Sequence, residues 1–368
     1  MTLTAAPAPL TFSRQLTDRP TPPAVRERVL SDPGFGQHFT DHMVIIDWTA
    51  GEGWQSARVQ PYGPIELEPA AAVFHYGQEV FEGLKAYRHS DGSMWAFRPE
   101  RNAARLQRSA GRLALPQLST DDFLASLREL IAVDADWVPG GDEHSLYLRP
   151  FLFANEPFVG VRAARRASYQ VIASPAGPYF ASELSPVSLW LSTEHARAGR
   201  GGTGAAKSGG NYAASLLPQA EAQRHGCSQV LFADPSTGRI DEAGSMNVFF
   251  VTQEGALLTP AVTGSILEGI TRDSIMQIAR ERGREVVERD LQLDEMLDGI
   301  ASGAITEIFA TGTAAVVTPI SRLADRDREW VTADAKTGPV ARELRAELTG
   351  IQHGRIADRH GWMHRLDR

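Results

Sequence analysis

Short stretches of the chain alternate between apolar and polar positions, a pattern that predicts β-strands. Residues 145–154 (SLYLRPFLFA) show it clearly, with Leu146 and Leu148 on one predicted face and Tyr147 and Arg149 on the other. Runs of β-branched and aromatic residues predict further strands at residues 39–48, 94–98, 169–173, 187–192, 229–234, 242–252 and 305–310. Strands are therefore expected along most of the chain.

Helical spacing of apolar residues separates these strands. Pro99 suits the first turn of a helix that runs to about residue 113, and Ser119 or Thr120 can cap the next helix. Further helices are predicted at residues 211–225, 270–282 and 340–348. Pro218 is expected to kink the first of these three.

Residues 174–186 (SPAGPYFASELSP) are rich in proline, which is typical of a connection between domains. A chain of 368 residues is long enough for two domains of ordinary size. We therefore predict an N-terminal domain over residues 1–175, an interdomain loop over residues 176–186 and a C-terminal domain over residues 187–368.

Composition and charge narrow the classes of function. The net charge of -8 and the absence of a basic stripe argue against a nucleic-acid partner. No apolar stretch is long enough to span a bilayer and no secretory signal is visible, so we expect a cytoplasmic protein without membrane contact. Cys227 is the only cysteine, which excludes an intramolecular disulfide. His38 and His42 lack a third ligand nearby, so no metal site is predicted.

Residues 199–212 (GRGGTGAAKSGGNY) place Lys207 among glycines and small residues. Such a segment is compatible with a plain loop, with a lysine that contacts phosphate, or with a lysine that forms a Schiff base. The phosphate-loop motif requires glycine directly before the lysine, and Ala206 occupies that position here. The motif is therefore broken, and a Schiff-base lysine would need partners elsewhere in the chain.

Pyridoxal phosphate requires a lysine, a group that faces its pyridine nitrogen, donors for its phosphate and a polar contact for its 3-oxygen. Each requirement has a candidate in the sequence. Lys207 is the candidate lysine, Tyr212 can reach the 3-oxygen, and Glu242 is an acid beside an apolar strand that a pyridinium would satisfy. The phosphate candidates are the helix start at Ile270 and Thr271, the small-residue turn at Thr313, and Arg98.

Four motifs resemble those of the branched-chain amino acid aminotransferases. They are residues 81–87 (FEGLKAY), 207–212 (KSGGNY), 241–247 (DEAGSMN) and 312–315 (GTAA), and the resemblance extends from about residue 35 to about residue 348. It implies the fold type IV class of pyridoxal phosphate enzymes: two α/β (α+β) domains with the cofactor at the domain interface, in an obligate homodimer. Ala315 and Thr318 replace the Cys-x-x-Cys pair of mammalian members, so thiol-based regulation is not expected.

The resemblance also implies roles for individual residues. Lys207 would be the catalytic Schiff-base lysine that moves the proton. The cofactor would be bound by Arg98, Lys207, Tyr212, Glu242, Ser245, Ile270, Thr271 and Thr313. The substrate would be bound by Phe35, Tyr76, Phe81, Tyr147, Arg149, Tyr179, Thr313 and Ala314. Of these, Tyr147 and Arg149 would serve the distal carboxylate of glutamate.

The implied reaction is reversible amino transfer from L-leucine, L-isoleucine or L-valine to 2-oxoglutarate. A sister enzyme of the same fold is an alternative, either a D-amino acid transaminase or an aminodeoxychorismate lyase, since these share the lysine, the glutamate and the phosphate donors. A nucleotide-dependent kinase that uses the glycine-rich segment is a rival from another class, and a non-catalytic binding module is a third possibility. The aromatic residues 81–87 favour branched-chain substrates.

Overall fold

The computed structural model describes residues 9–179, 184–332 and 336–367. The chain forms two compact units, the first made of residues 1–177 and 361–368 and the second of residues 178–360. The first unit thus includes the last residues of the chain, which differs from the expectation that everything after residue 187 belongs to the second domain. The physical reason is a strand pairing described below.

The first unit is one mixed sheet with helices. Its strands are β1 (Ser13–Arg14), β2 (His42–Thr49), β3 (Gly53–Pro61), β4 (Glu79–Phe81), β5 (Leu84–Arg88), β6 (Met94–Phe97), β7 (Ser145–Phe153), β8 (Arg166–Ala176) and β18 (Met363–Arg365). Its helices are α1 (Pro23–Ser31), α2 (Ala72–Tyr76), α3 (Pro99–Arg112) and α4 (Thr120–Asp134), followed by a 3-10 turn at Ala135–Trp137. The strand order is β1-β3-β2-β8-β7-β5-β6-β18, and β4 pairs with β7.

The predicted alternation on β7 separates the two faces of this sheet. Leu146 and Leu148 are fully buried in the apolar core, whereas Tyr147 and Arg149 alternate with them and are half-buried. The apolar stripe of α4 joins the same core. Ser119 caps this helix, because its Oγ accepts a hydrogen bond of 3.0 Å from the backbone N–H three residues later.

The second unit is built around a second sheet. Its strands are β9 (Val187–Ser192), β10 (Gln229–Ala233), β11 (Ile240–Ala243), β12 (Asn247–Thr252), β13 (Leu257–Pro260), β14 (Val286–Arg289), β15 (Ile305–Gly312), β16 (Val316–Ala324) and β17 (Glu329–Val331). Its helices are α5 (Gly209–Ala213), α6 (Leu216–Arg224), α7 (Ile270–Glu281), α8 (Leu293–Ser302) and α9 (Pro339–Gln352). The strand order is β11-β10-β9-β16-β15-β12-β13-β14, and β17 pairs with β16.

Two local predictions in this unit were wrong. The helix expected over residues 211–225 is two helices, and the break lies at residues 214–215 rather than at Pro218. The strand expected over residues 242–252 is also two, β11 and β12, because the positive φ of Gly244 turns the chain between them. β10 consequently pairs with β11, while β12 pairs with β13 and β15.

Two surveys of the described ranges bear on function. Within them, no helix has both the length and the apolar character that crossing a membrane requires. The same ranges hold no group of three or more His, Cys, Asp and Glu side chains arranged to bind a metal ion. His42 instead contacts Asp134 through Nδ1 at 2.7 Å and accepts the backbone N–H of Thr17 at Nε2.

Candidate active site

Lys207 and Tyr212 lie side by side where the glycine-rich segment enters α5. The Nζ of Lys207 donates a hydrogen bond to the phenolic oxygen of Tyr212 and lies 4.7 Å from the centroid of its ring. Both side chains are half-buried. The five-residue separation thus brings an amine and a hydroxyl into direct contact, as the predicted roles of both residues require.

The glycine-rich segment is fastened at two points. The buried Asn211 donates through Nδ2 to the carbonyl oxygens of Thr203 and Ala206, both at 2.8 Å. Gly204 lies against Ser265, so closely that a Cβ at this position would be 2.5 Å from the Ser265 carbonyl oxygen. Glycine is needed there for close approach of two backbones, and the segment that carries Lys207 is therefore held rather than loose.

Glu242 is a buried carboxylate on β11, with only 2% of its surface exposed. Its Oε1 accepts the backbone N–H of Leu267 and lies 3.4 Å from Nη2 of Arg197. Burial raises the pKa of Glu242 above its ordinary value, while the positive charges of Arg197 and Lys207 oppose that rise. Lys207 and Glu242 thus act on each other electrostatically within one site.

The sequence analysis missed Arg197. Its guanidinium is buried, and Nη2 donates to the carbonyl oxygens of Gly204 at 3.0 Å and Ser265 at 2.5 Å. It therefore ties the lysine-bearing segment to the segment that supplies the N–H for Glu242. The available signal was that a buried carboxylate needs a cation. The letters could not choose between Arg197 and Arg200, three residues apart in the same loop.

The predicted anion site is the start of α7, at Ile270 and Thr271. No side chain in the described ranges caps this helix, so the amides of its first turn stay available to an anion. Gly269 precedes it, and a Cβ there would lie 1.9 Å from Oδ1 of Asn247. The same asparagine donates through Nδ2 to the carbonyl oxygen of Leu267 at 3.0 Å, which holds the helix start against β12.

The small-residue turn at Thr313 and Ala314 joins β15 to β16. Thr311 at the end of β15 is in register with Asn247, so this turn follows the strand that borders the α7 start. The hydroxyl of Thr311 is buried and has no partner in the described parts of the chain. Ser245, also predicted to bind cofactor, is exposed in the turn between β11 and β12.

Four predicted substrate residues of the first unit form one cluster. The rings of Phe35 and Tyr147 meet edge to face at 5.1 Å, and Nη2 of Arg149 donates to the phenolic oxygen of Tyr147 at 3.1 Å. The Arg149 guanidinium also lies 4.9 Å from the ring centroid of Phe81. The cluster combines apolar ring surfaces with a guanidinium and a hydroxyl, which suits both an aliphatic side chain and a carboxylate.

Gly83 gives Tyr147 its place in this cluster. A Cβ on Gly83 would lie 2.0 Å from the Tyr147 hydroxyl oxygen. The neighbouring Glu82 is completely buried and is bound by Arg105 through Nε at 2.7 Å and Nη2 at 2.8 Å, and by Asn102 at 2.7 Å. This bidentate ion pair fixes the backbone at Gly83, whose N–H donates to Glu82 as well.

The remaining predicted residues lie outside these clusters. Arg98 directly precedes α3 and is buried. The Tyr76 hydroxyl accepts the backbone N–H of Gly160, and its ring stacks on Phe158 at 6.0 Å, so its described contacts are not with the Tyr147 cluster. Tyr179 is partly exposed in the second unit.

Comparison with known proteins identifies the class. Residues 79–323 match the family described as amino-transferase class IV. The match covers more than half of the chain, and the chain belongs to this family. The resemblance inferred from the four sequence motifs is thereby confirmed at the level of the class.

Curated relatives narrow the class further. The branched-chain-amino-acid aminotransferase of Mycolicibacterium smegmatis is 55% identical over 364 residues, covering 98% of this chain and 99% of the relative. That of Mycobacterium tuberculosis is 57% identical over 352 residues, covering 94% and 96%. Within class IV, the chain groups with the branched-chain-amino-acid aminotransferases.

Solved structures agree in fold. The crystal structure of the Escherichia coli branched-chain amino acid aminotransferase has a TM-score of 0.73 and 30% identity, covering 87% of this chain and 99% of that chain. The branched-chain amino acid aminotransferase of T.th., solved with pyridoxamine 5'-phosphate, has a TM-score of 0.72 and 28% identity, covering 87% and 98%. The predicted fold type IV architecture of mixed α/β sheets and helices is confirmed.

Proposed function

We propose that this protein catalyses reversible, pyridoxal phosphate-dependent amino transfer from L-leucine, L-isoleucine or L-valine to 2-oxoglutarate, giving the branched 2-oxo acid and L-glutamate. The observation that supports it best is the pairing of two features in the second unit: an amine bonded to a phenol at Lys207 and Tyr212, and a buried carboxylate at Glu242. The close relatives of the chain are aminotransferases named for these substrates.

The residues present fit pyridoxal phosphate. When bound, it supplies an aldehyde for an amino group and a conjugated ring that accepts the electron pair of the Cα–H bond. Lys207 would hold the aldehyde carbon, Tyr212 the 3-oxygen and Glu242 the pyridine nitrogen. The uncapped start of α7 at Ile270 and Thr271 suits a phosphate dianion. Thr313 and Arg98 are proposed as further phosphate donors, and Ser245 as a further cofactor contact.

Lys207 is proposed to carry the proton between Cα of the substrate and the cofactor. A free lysine has a pKa of about 10.4 and is mostly protonated at neutral pH, so its surroundings must favour the neutral amine during the reaction. Tyr212 accepts a hydrogen bond from Nζ and so orients the amine. Glu242 must be ionised to hold a protonated pyridine, and Arg197 favours the ionised form that burial opposes.

The cluster around Tyr147 is proposed to receive the substrate side chain. Phe35 and Phe81 present ring surfaces for a branched aliphatic chain, and Arg149 with Tyr147 presents donors for the distal carboxylate of glutamate. The Nε of Arg149 is buried without a partner in the described residues, which is consistent with a donor that awaits an anion. Tyr76, Tyr179 and the amides of Thr313 and Ala314 are proposed as further substrate contacts.

A homodimer and a cytoplasmic location belong to the same proposal. Both follow from the expectations of the sequence and of the family resemblance. Val159 and Val161 are more than four-fifths exposed in one loop of the first unit, and paired apolar side chains of this kind are compatible with a contact to a second copy.

The absorbance spectrum of the purified protein tests the proposal. We expect a cofactor band that changes on addition of L-leucine, that D-alanine leaves unchanged, and that borohydride bleaches. Lys207→Ala should fold as the wild type does, yet lose transamination by at least about 1000-fold, since no other amine is placed to move the proton. Full activity in this variant would refute the assignment, and a response to D-alanine alone would favour the sister D-amino acid enzymes.

A further inference from the structure

Trp362 packs against Arg98 at the edge of the first sheet. The guanidinium carbon of Arg98 lies 5.0 Å from the centroid of the indole ring. The backbone N–H of Arg98 donates to the carbonyl oxygen of Trp362 at 2.7 Å. Both residues are less than a tenth exposed. The arginine is thus held by the tryptophan twice, once through the side chain and once through the backbone.

Arg98 has an uncommon backbone conformation. Its φ of 48° and ψ of 45° are left-handed, and it directly precedes Pro99 at the start of α3. A non-glycine residue stays in this region only where its surroundings hold it there. The Trp362 carbonyl supplies one such restraint, and Phe97 supports the indole ring edge to face at 5.5 Å. The direction of the Arg98 side chain therefore depends on residues near the chain terminus.

The segment that carries Trp362 is itself anchored in the first unit. β18 pairs antiparallel with β6, and Met363 is in register with Phe97. Leu366 is 1% exposed in the apolar core, and its N–H donates to the carbonyl oxygen of Met94 at 2.8 Å. His364 contacts Glu100 of α3 at 2.7 Å. Trp362 is accordingly a fixed surface and not a side chain on a loose tail.

We propose that Trp362 is a positioning residue that holds the guanidinium of Arg98 for the phosphate group of pyridoxal phosphate. This inference rests on the proposed function, in which Arg98 binds that phosphate. A guanidinium over an indole ring is attracted by the π-electrons and keeps its N–H groups as donors. Preorganisation of this kind strengthens binding because less side-chain freedom is lost when the phosphate is bound.

The test compares two ligands that differ only in the phosphate. The protein is freed of cofactor and titrated with pyridoxal phosphate and with pyridoxal. Trp362→Leu should raise the Kd for pyridoxal phosphate about tenfold and change that for pyridoxal less than about twofold. Trp362→Phe should lie between wild type and Trp362→Leu, because an indole attracts cations more strongly than a phenyl ring does.

A double substitution shows whether Trp362 acts through Arg98. Arg98→Ala should weaken pyridoxal phosphate binding at least as much as Trp362→Leu. Adding Trp362→Leu to Arg98→Ala should then cause no further loss, because the indole has no guanidinium left to position. Trp330 is the matched control: the guanidinium of Arg328 lies 4.9 Å from its ring, in the second sheet. Trp330→Leu should leave both dissociation constants unchanged.

Each outcome decides the proposal. Equal weakening of pyridoxal and pyridoxal phosphate by Trp362→Leu would mean that the tryptophan supports the fold alone, and additive losses in the double variant would separate it from Arg98. Wild-type affinity in Trp362→Leu, in an enzyme that does bind the cofactor, would overturn this inference but not the proposed function. A wild-type protein that binds no pyridoxal phosphate would overturn both. Should Trp362→Leu not fold, Trp362→Phe gives the same comparison.

Discussion

At the scale of single residues, Arg197 is the buried cation of the site. It lies beside Glu242, and burial raises the pKa of Asp241 on the same strand as well. Two neighbouring buried carboxylates without a cation would be costly, and removing one partner of a buried charge pair is usually more damaging than replacing both. Arg197 therefore contributes to stability and to the ionisation of Glu242.

Arg197→Met should lower the free energy of unfolding by about 3 kcal/mol at neutral pH. The deficit should shrink between about pH 8 and about pH 5. Burial already raises the pKa of Glu242, and loss of the cation raises it further. The folded protein then keeps a proton that the unfolded chain has released, so its stability rises as the pH falls towards the ordinary value of 4.5.

Urea unfolding across that pH range measures the effect. Arg280→Met is the control, because this guanidinium is exposed and pairs with Glu288 at 3.2 Å, and its loss should be less than about 1 kcal/mol at every pH. A deficit in Arg197→Met that does not change with pH would show that the lost hydrogen bonds to Gly204 and Ser265, and not Glu242, account for it.

Gly83 permits the position of Tyr147. Gly83→Ala would place a methyl group 2.0 Å from the Tyr147 hydroxyl oxygen, so the ring must move away from Arg149. We expect the KM for 2-oxoglutarate to rise about tenfold and the KM for leucine to rise less, since only the former uses the distal carboxylate donors. Steady-state kinetics with each substrate measure this. Gly63→Ala is the control, as its Cβ would meet no atom within 4 Å.

At the scale of elements, α9 depends on a carboxylate from a strand. Glu307 of β15 is buried and accepts the backbone N–H groups of Val340 and Ala341, both at 3.0 Å. These are donors of the first helical turn, which have no partner within the helix. The helix begins after Gly338, where a Cβ would lie 1.9 Å from the carboxylate carbon of Glu307. The strand and the helix are thus joined at one point.

Glu307→Ala should lower the free energy of unfolding by about 2 kcal/mol, because two amides at the helix start lose their acceptor. Glu307→Gln keeps one oxygen and should lose roughly half as much. Urea denaturation with helical circular dichroism as the signal measures both variants. Glu285→Ala, at an exposed position, is the control and should unfold as the wild type does. Equal stability of Glu307→Ala and the control would contradict the capping role.

At the scale of the whole molecule, sequence patterns predicted most elements, because each depends on neighbouring residues. The alternation on β7 and the cap at Ser119 were both confirmed. Pairings between distant strands were not predictable in the same way. Nothing in residues 363–365 indicates that they pair with β6, since a three-residue strand carries almost no periodic signal.

The candidate site shows the same division. Lys207, Tyr212 and Glu242 were identified because chemistry restricts which residue types can occupy those positions. Arg197 and the support of Arg98 by Trp362 were not identified, since both depend on contacts that only the folded chain creates. Roles beyond these positions, including those of Ser245 and Tyr179, remain predictions.

The pairing of β18 with β6 also sets the order in which the protein can mature during synthesis. Residues 178–360 separate the two parts of the first unit, so a ribosome must translate all of them before β6 gains its outer neighbour. Until then the nascent N-terminal sheet presents an open edge that nascent chains nearby could pair with. Chaperone protection of that edge is therefore needed for longest in the half of the protein that emerges first.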